Sequence, residues 1–309
     1  MNQQDNYDNI KSHPLNIMEY NGESILENFR FVEGRRFHNV EGVVYFLAND
    51  EEEISRLQML HHLYKYIWKS VYSSPMHGKL ASRGTRVLDS GCGPGSWVLD
   101  MANHYENSTF IGVDFSPSMF PSHVNNNVAF LETNIISGFP FPNETFDFVY
   151  QRLMCFALTK KQWQDVILDM VRITKPGGWI EFMEVDIEVY FAGPLTKRFM
   201  KLFRDLLTSR GLDPFIASRI EGYLQATNKV VDVHIESKAT PLGSHGKGVG
   251  ELLGDDFWVA ISHTKAYICN FMGIPIEKYD ILVEKIKNEY DEYKSYSKSY
   301  RIYGRKRSP

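Results

Sequence analysis

Residues 86–102 read RVLDSGCGPGSWVLDMA, and three glycines and a proline crowd into positions 91–95. An apolar run precedes them and an apolar-periodic segment follows, the pattern of a buried strand broken sharply and continued at once as a helix. Gly91, Gly93 and Gly95 carry no Cβ, so the backbone there can take positive φ and admit a ligand closely. A helix starting near Gly95 points free N–H groups into the same space, which favours a carboxylate or phosphate. Two acids accompany the turn. Asp89 lies two positions before Gly91, and Asp114 ends the apolar segment FIGVD, 25 residues after Asp89.

Two ligand classes use such a turn, dinucleotides and S-adenosylmethionine. The dinucleotide fingerprint is G-x-G-x-x-G. Here the spacing is G-x-G-x-G, with Ser96, Trp97 and Val98 where a later glycine would fall. A carboxylate at Asp89 suits an ammonium group and repels a pyrophosphate, which favours S-adenosyl-L-methionine over NAD. Asp114 can then accept from both ribose hydroxyls, the alternative being a strand-end acid that opens the Ser-Pro turn. Phe115 and Met119 can flank an adenine ring, the methionine supplying a soft apolar face. The side-chain carbonyl of Asn134, with Ile135 beside it, can accept from the adenine amino group. Gln151 and Arg152 end a later strand, at the methionine end of the same ligand. Tyr45 stands just before the first helix as a further candidate contact.

The substrate side is less marked. Glu184 and Asp186 end a strand and can face an acceptor. His61 and His62 lie on the first helix, and His61 shares its apolar face, as a packed core histidine would. A general base is required only if the nucleophile enters protonated. Tyr190, Phe191, Phe199, Phe203, Phe215, Trp258, Tyr267 and Phe271 suit an apolar substrate cavity, or simply a core.

These residues need a frame. Residues 1–40 are polar, Asn-rich and aperiodic, and read as a flexible arm. A helix follows from Asn49 or Asp50, which can cap it with Glu52 or Glu53 three positions on. From residue 84 short apolar strands alternate with helices: TRVLDSG, GSWVLDMANHY, STFIGVDFS, NVAFLETN, TFDFVYQR, then KKQWQDVILDMVRIT, a helix stopped by Pro176-Gly177-Gly178, then the strand WIEFMEVDIEVYF. The alternation predicts an α/β fold, a mostly parallel sheet with helices on both faces. Helices are expected at about 195–211, 214–226, 250–272 and 276–292, with closing strands at about 229–240 and 298–305. The predicted organisation is one domain over 41–309, its core at 84–186 and its helical cap from 45–75 and 192–292.

Composition sets the bounds. Of 309 residues, 43% are apolar and 23% charged, ordinary for a globular protein. A net charge of −4 gives no global attraction to nucleic acid or anionic membrane. Three scattered cysteines, Cys92, Cys155 and Cys269, supply neither a disulfide framework nor a zinc cluster. No apolar run is long enough to span a membrane, and the polar start lacks the order of a secretion signal. The expectation is an intracellular, cytoplasmic protein without metal; the tail GRKRSP reads as a nuclear signal, a phosphate contact or a solvated end.

VLDSGCGPG, GVDFSPSM, FPFPNETFDFVYQR and ITKPGGWIEFME together resemble the class I S-adenosylmethionine-dependent methyltransferases. YFLANDEEEISRLQMLHH and YRIYGRKR are similar to a fungal branch of that family that includes methyltransferase-like regulators of secondary metabolism. The family has proline where Ala48 stands and usually an acid where Asn134 stands. The resemblance implies a Rossmann-like seven-stranded sheet whose last strand runs antiparallel, and cofactor contacts from Asp89, Gly91, Gly93, Gly95, Asp114 and Asn134. It implies methyl transfer to a small-molecule or protein acceptor. A regulatory protein that binds S-adenosylmethionine and acts through a protein partner, and an NAD-dependent oxidoreductase, are the alternatives.

Overall fold

A computed structural model of the protein describes residues 18–20, 23–26, 29–32, 35–38, 47–262 and 264–308. Four short strands, β1 (Met18–Tyr20), β2 (Glu23–Leu26), β3 (Phe29–Val32) and β4 (Arg35–His38), pair in order as an antiparallel sheet. Residues 18–38 therefore contain ordered strands where an aperiodic arm was expected. The alternation in ILENFRFVEGRRFH suits a meander. The remainder of the expected arm, and Tyr45, lie outside the described residues. β4 is tied to the body: the Asn49 amide donates to the Arg36 carbonyl at 2.9 Å, and Arg35 pairs with Asp50 and Glu52.

Helix α1 (Glu51–Trp68) starts at Asp50, whose carboxylate accepts from the Glu53 amide, and its acidic first turn complements the helix dipole. The short α2 (His77–Ala81) follows. The main elements are then β5 (Arg86–Ser90), α3 (Ser96–His104), β6 (Thr109–Asp114), β7 (Val128–Glu132), β8 (Phe146–Arg152), α4 (Lys160–Ile173), β9 (Thr174–Val185), α5 (Pro194–Ser209), α6 (Ile220–Ala226), β10 (Val230–Pro241), α7 (Lys247–Ser262), α8 (Lys265–Met272), α9 (Ile276–Glu292) and β11 (Tyr296–Lys306). Seven strands form one sheet in the order β10-β11-β9-β8-β5-β6-β7. β7, β6, β5, β8 and β9 are parallel, and β11 runs antiparallel between β9 and β10.

Both faces of the sheet are covered, so β8 is buried throughout except at Arg152, with Phe146, Phe148, Val149 and Tyr150 supplying its apolar positions. Trp97 of α3 stacks on Tyr150 of β8 with ring centres 4.1 Å apart, and its indole N–H donates to the Val71 carbonyl at 2.7 Å. Among the described residues no helix is long and apolar enough to cross a membrane.

Several expected boundaries move. α4 ends at Ile173, where the Thr174 hydroxyl donates to the Met170 carbonyl, and Pro176-Gly177-Gly178 lies inside β9, beside an irregularity in its pairing with β8. A Cβ at Gly178 would sit 2.9 Å from the Asp147 carbonyl, so the glycine serves strand packing rather than helix termination. β9 stops at Val185, short of the expected Phe191. Residues 214–219 turn instead of starting a helix, because the Asp213 carboxylate accepts from the Phe215 amide. The stretch 250–272 is two helices; hydroxyls of Ser262 and Thr264 bond back to the Val259 and Ile261 carbonyls at the break.

α1 and α7 are clamped by a buried ion cluster. Arg56 donates to both oxygens of Asp256, at 2.9 and 3.0 Å, and to both oxygens of Glu53, at 2.8 and 2.6 Å. Burial holds both carboxyls above their ordinary range despite the guanidinium. Arg56→Ala should lower stability by about 3–5 kcal/mol at pH 7, seen as a fall in denaturant midpoint. The deficit should shrink toward pH 4, as the two orphaned acids take up protons. An unchanged midpoint would show that other contacts hold α1 to α7.

Candidate functional site

The chain leaves β5 toward β6 and β7 and returns on the other side as β8, so the carboxyl ends of β5 and β8 open onto the crevice where open α/β sheets bind ligands. The glycine turn lies there. Gly91, Gly93 and Gly95 have φ of +66°, +52° and +73°. A Cβ on Gly91 would sit 2.6 Å from the Met154 sulfur, and one on Gly95 would strike the Phe130 ring. The turn is pinned by the Cys92 amide donating to the Val113 carbonyl and the Gly95 amide donating to the Cys92 carbonyl, both at 3.0 Å.

A cavity of about 80 Å³ opens at this turn. Of the predicted residues, Gly91, Gly93, Asp114, Phe115, Met119, Ile135 and Arg152 line it. Asp114 accepts from the Gly93 amide at 2.9 Å and the Ser116 amide at 3.0 Å; burial nonetheless pushes it up to about 6. Asp89 lies behind the turn, 1% exposed, and neither carboxylate oxygen has a hydrogen-bond partner among the described residues. Burial pushes it up to about 7 against the pull of Arg152.

Asn134 does not line the cavity. Its side-chain carbonyl accepts from the Ile136 amide at 3.1 Å and caps a short 3₁₀ turn, the local use to which asparagine is well suited. Gln151 is fully buried; its carbonyl accepts from the Ser90 hydroxyl at 2.9 Å, and its Nε2 has no partner among the described residues. Gly95 shapes the turn from outside the cavity. Sequence reasoning missed Leu57, Thr133, Leu153 and Met154 in the lining. Thr133 precedes Asn134 and Leu153 follows Arg152, both singled out in the sequence, and Leu57 sits on the apolar face of α1.

His61 lines neither this cavity nor the next. Arg152 donates to its Nδ1 at 3.0 Å, and Asp100 lies 3.2 Å from Nε2 while accepting from Lys65. Arginine can only donate, so Nδ1 is the acceptor and Nε2 carries the hydrogen to Asp100. Burial holds the imidazole below its ordinary value, consistent with a neutral ring. His61 thus positions Arg152 instead of facing substrate; its neighbour His62 is exposed.

A second chamber, of about 130 Å³, lies beyond Leu57 and Leu153, which line both spaces. Its walls are mainly apolar, with Leu60, Tyr64, Phe156, Met200 and Phe257 among them, and Arg56, Asp186, Glu188 and Asp256 reach it. Leu153 has φ of +54°, costly for a branched residue, and its amide is held by the Met183 carbonyl at 3.0 Å. Glu184 stands behind this wall, fully buried and outside the lining; it accepts from the Met154 amide at 2.7 Å and is pushed up to about 8 by burial. The eight aromatic residues expected around a substrate line neither cavity. Phe199 packs on Trp258 with ring centres 5.0 Å apart, Tyr190 stacks on Tyr296 at 4.9 Å, and Phe191, Tyr267 and Phe271 are exposed. The rings in the chamber wall are Tyr64, Phe156, Phe257 and Tyr290.

A family described as a methyltransferase domain matches residues 87–178. The protein-methionine methyltransferase laeA of Emericella nidulans is 28% identical over 169 residues, 55% of this chain and 44% of that protein, so the chain spans less than half the length of this relative. The N-methyltransferase gliN of Aspergillus fumigatus is 24% identical over 280 residues, 85% of this chain and 96% of that protein. Among solved structures, a phosphoethanolamine N-methyltransferase 2 of Haemonchus contortus in complex with S-adenosyl-L-methionine superposes with a TM-score of 0.49 at 18% identity, covering 88% of this chain and 62% of that one. With its glycine turn at the β5–β8 switch and an antiparallel strand second from the sheet edge, the chain carries a methyltransferase domain over residues 87–178 on a Rossmann-like α/β fold, and it is similar to the fungal laeA proteins.

Proposed function

We propose that the protein methylates a small, largely apolar acceptor held in the chamber beyond Leu57 and Leu153. The observation that carries this reading is the shared wall: two residues separate the glycine-turn cavity from a second, mainly apolar space. S-adenosylmethionine supplies an activated methyl group on a sulfonium. The residues present fit it. Asp114 and the glycine backbone offer polar contacts in the cavity, Phe115, Met119 and Ile135 offer apolar walls, and Asp89, behind the turn and outside the lining, holds a carboxylate whose two oxygens have no partner among the described residues, suited to an ammonium group that reaches it. The protein's part is alignment and exclusion of water. A concave, mainly apolar chamber with few polar groups suits a small molecule as acceptor.

Asp89 links binding to stability. A carboxyl raised on folding takes up a proton, so its contribution is complete below the ordinary value near 4 and lost as pH rises toward 7. Asp89→Asn should therefore stabilise the ligand-free protein at pH 8 by about 1–3 kcal/mol and change it little at pH 4. The same variant should bind S-adenosylhomocysteine at least about tenfold more weakly. Equal stability of variant and wild type at pH 8, measured by denaturant titration, would contradict the unpaired charge.

The reading itself is tested by calorimetric titration with S-adenosylmethionine, S-adenosylhomocysteine and NADH. Micromolar binding of both sulfur ligands without NADH is expected, and Asp114→Ala should abolish it in a folded protein. Binding of NADH alone would overturn the assignment.

A further inference from the structure

We infer that the chamber is a cation site, in which Asp186 receives the charged nitrogen of a small apolar amine. The inference deepens the methyltransferase reading and rests on it for the identity of the bound molecule as methyl acceptor: the ammonium would pass one proton to the Asp186 carboxylate, and the neutral nitrogen's lone pair would form the N–C bond as the methyl–sulfur bond breaks and the sulfonium becomes a thioether.

Charge around the chamber does not balance. Arg56 is spent on Asp256 and Glu53, and Glu188 pairs with Arg204 at 3.1 Å. Asp186 has no cation within 4.0 Å among the described residues, although it lines the chamber and is only 8% exposed. Its contacts are with the amides of Ser218, at 3.3 Å, and Ala217, and with the Ser218 hydroxyl. Glu184, behind the same wall and outside the lining, brings no positive group toward Asp186, so the carboxylate that faces the chamber is that of Asp186.

A buried carboxylate without a counter-charge is expensive unless a ligand completes it. An anionic acceptor would add a second negative group beside Asp186 in an apolar space. A neutral alcohol would leave Asp186 without a counter-charge. A protonated amine supplies the missing charge, while its hydrocarbon part meets Leu60, Tyr64 and Phe257.

The test is calorimetric binding of 2-phenylethylamine, 2-phenylethanol and 3-phenylpropionate to the full chain, with and without S-adenosylhomocysteine. The wild type should bind the amine at least about tenfold more tightly than the alcohol, and the acid not at all. Asp186→Asn should bring the amine-to-alcohol ratio near one with S-adenosylhomocysteine affinity intact, and Asp186→Glu should keep the preference. Equal binding of amine and alcohol by the wild type, no amine binding, or a preference that survives Asp186→Asn would each overturn the inference. The wild-type ratio needs no variant, so a misfolded Asp186→Asn does not rescue it. Loss of S-adenosylhomocysteine binding alone would count against the methyltransferase reading and leave the amine ratio to be judged separately.

Discussion

Two parallel strands, β5 and β8, lie side by side while their onward connections run in opposite directions, and the site depends on that divergence. No helix can cover the gap where the connections part, so the strand ends stay open. Everything that lines the opening is a consequence: the glycine turn after β5, Arg152, Leu153 and Met154 after β8, and α1 laid across the top through Leu57. Parallel pairing also demands that both sheet faces be covered, which is why β8 is buried along its length and becomes accessible only at Arg152.

At that end the protein concentrates negative charge in a low-dielectric wall. Asp89, Asp114, Glu184 and Asp186 are all buried and all held above the ordinary carboxyl range, chiefly by loss of water. Such groups weaken the free fold and are tolerated where something else completes them. The contrast lies one layer back. Asp100, with His61 and Lys65 on it, is held low, and the chain Asp100–His61–Arg152 is satisfied at each link. The site is thus incomplete in front and finished behind, as a preorganised site should be.

How far this was legible differs by residue. The turn at Gly91–Gly95 was legible because glycine, proline and flanking apolar runs each constrain the same local geometry. Asp114 was legible because a strand's end fixes where its last side chain stands. Asn134 misled because an asparagine at a strand end serves equally well as a local cap, and only the fold decides. The chamber was not legible at all: its lining comes from α1, the β8 and β9 ends, α5, α7 and α9, and no single segment carries a pattern for it. The aromatic residues at helical spacing belong to ordinary packing, as such spacing usually does. Nothing in the sequence marks Leu153 for a left-handed backbone. The four strands between residues 18 and 38 were obscured by the polar composition of that stretch.

β11 enters the sheet between β9 and β10, and β10 has no other neighbour in it. The same strand reaches the far end of the chain's order: Ser299 accepts from the Trp68 indole at 3.1 Å and Arg301 donates to the Ser70 carbonyl at 2.7 Å, each across 231 positions of sequence. During synthesis, therefore, neither β10 nor the tail of α1 can find its final neighbour until Tyr296–Lys306 has emerged. Loops this long close slowly. Until then β9 presents an unpaired edge of the kind that invites pairing with other chains, which makes this a protein whose yield in the cell should depend on what shelters it on the ribosome.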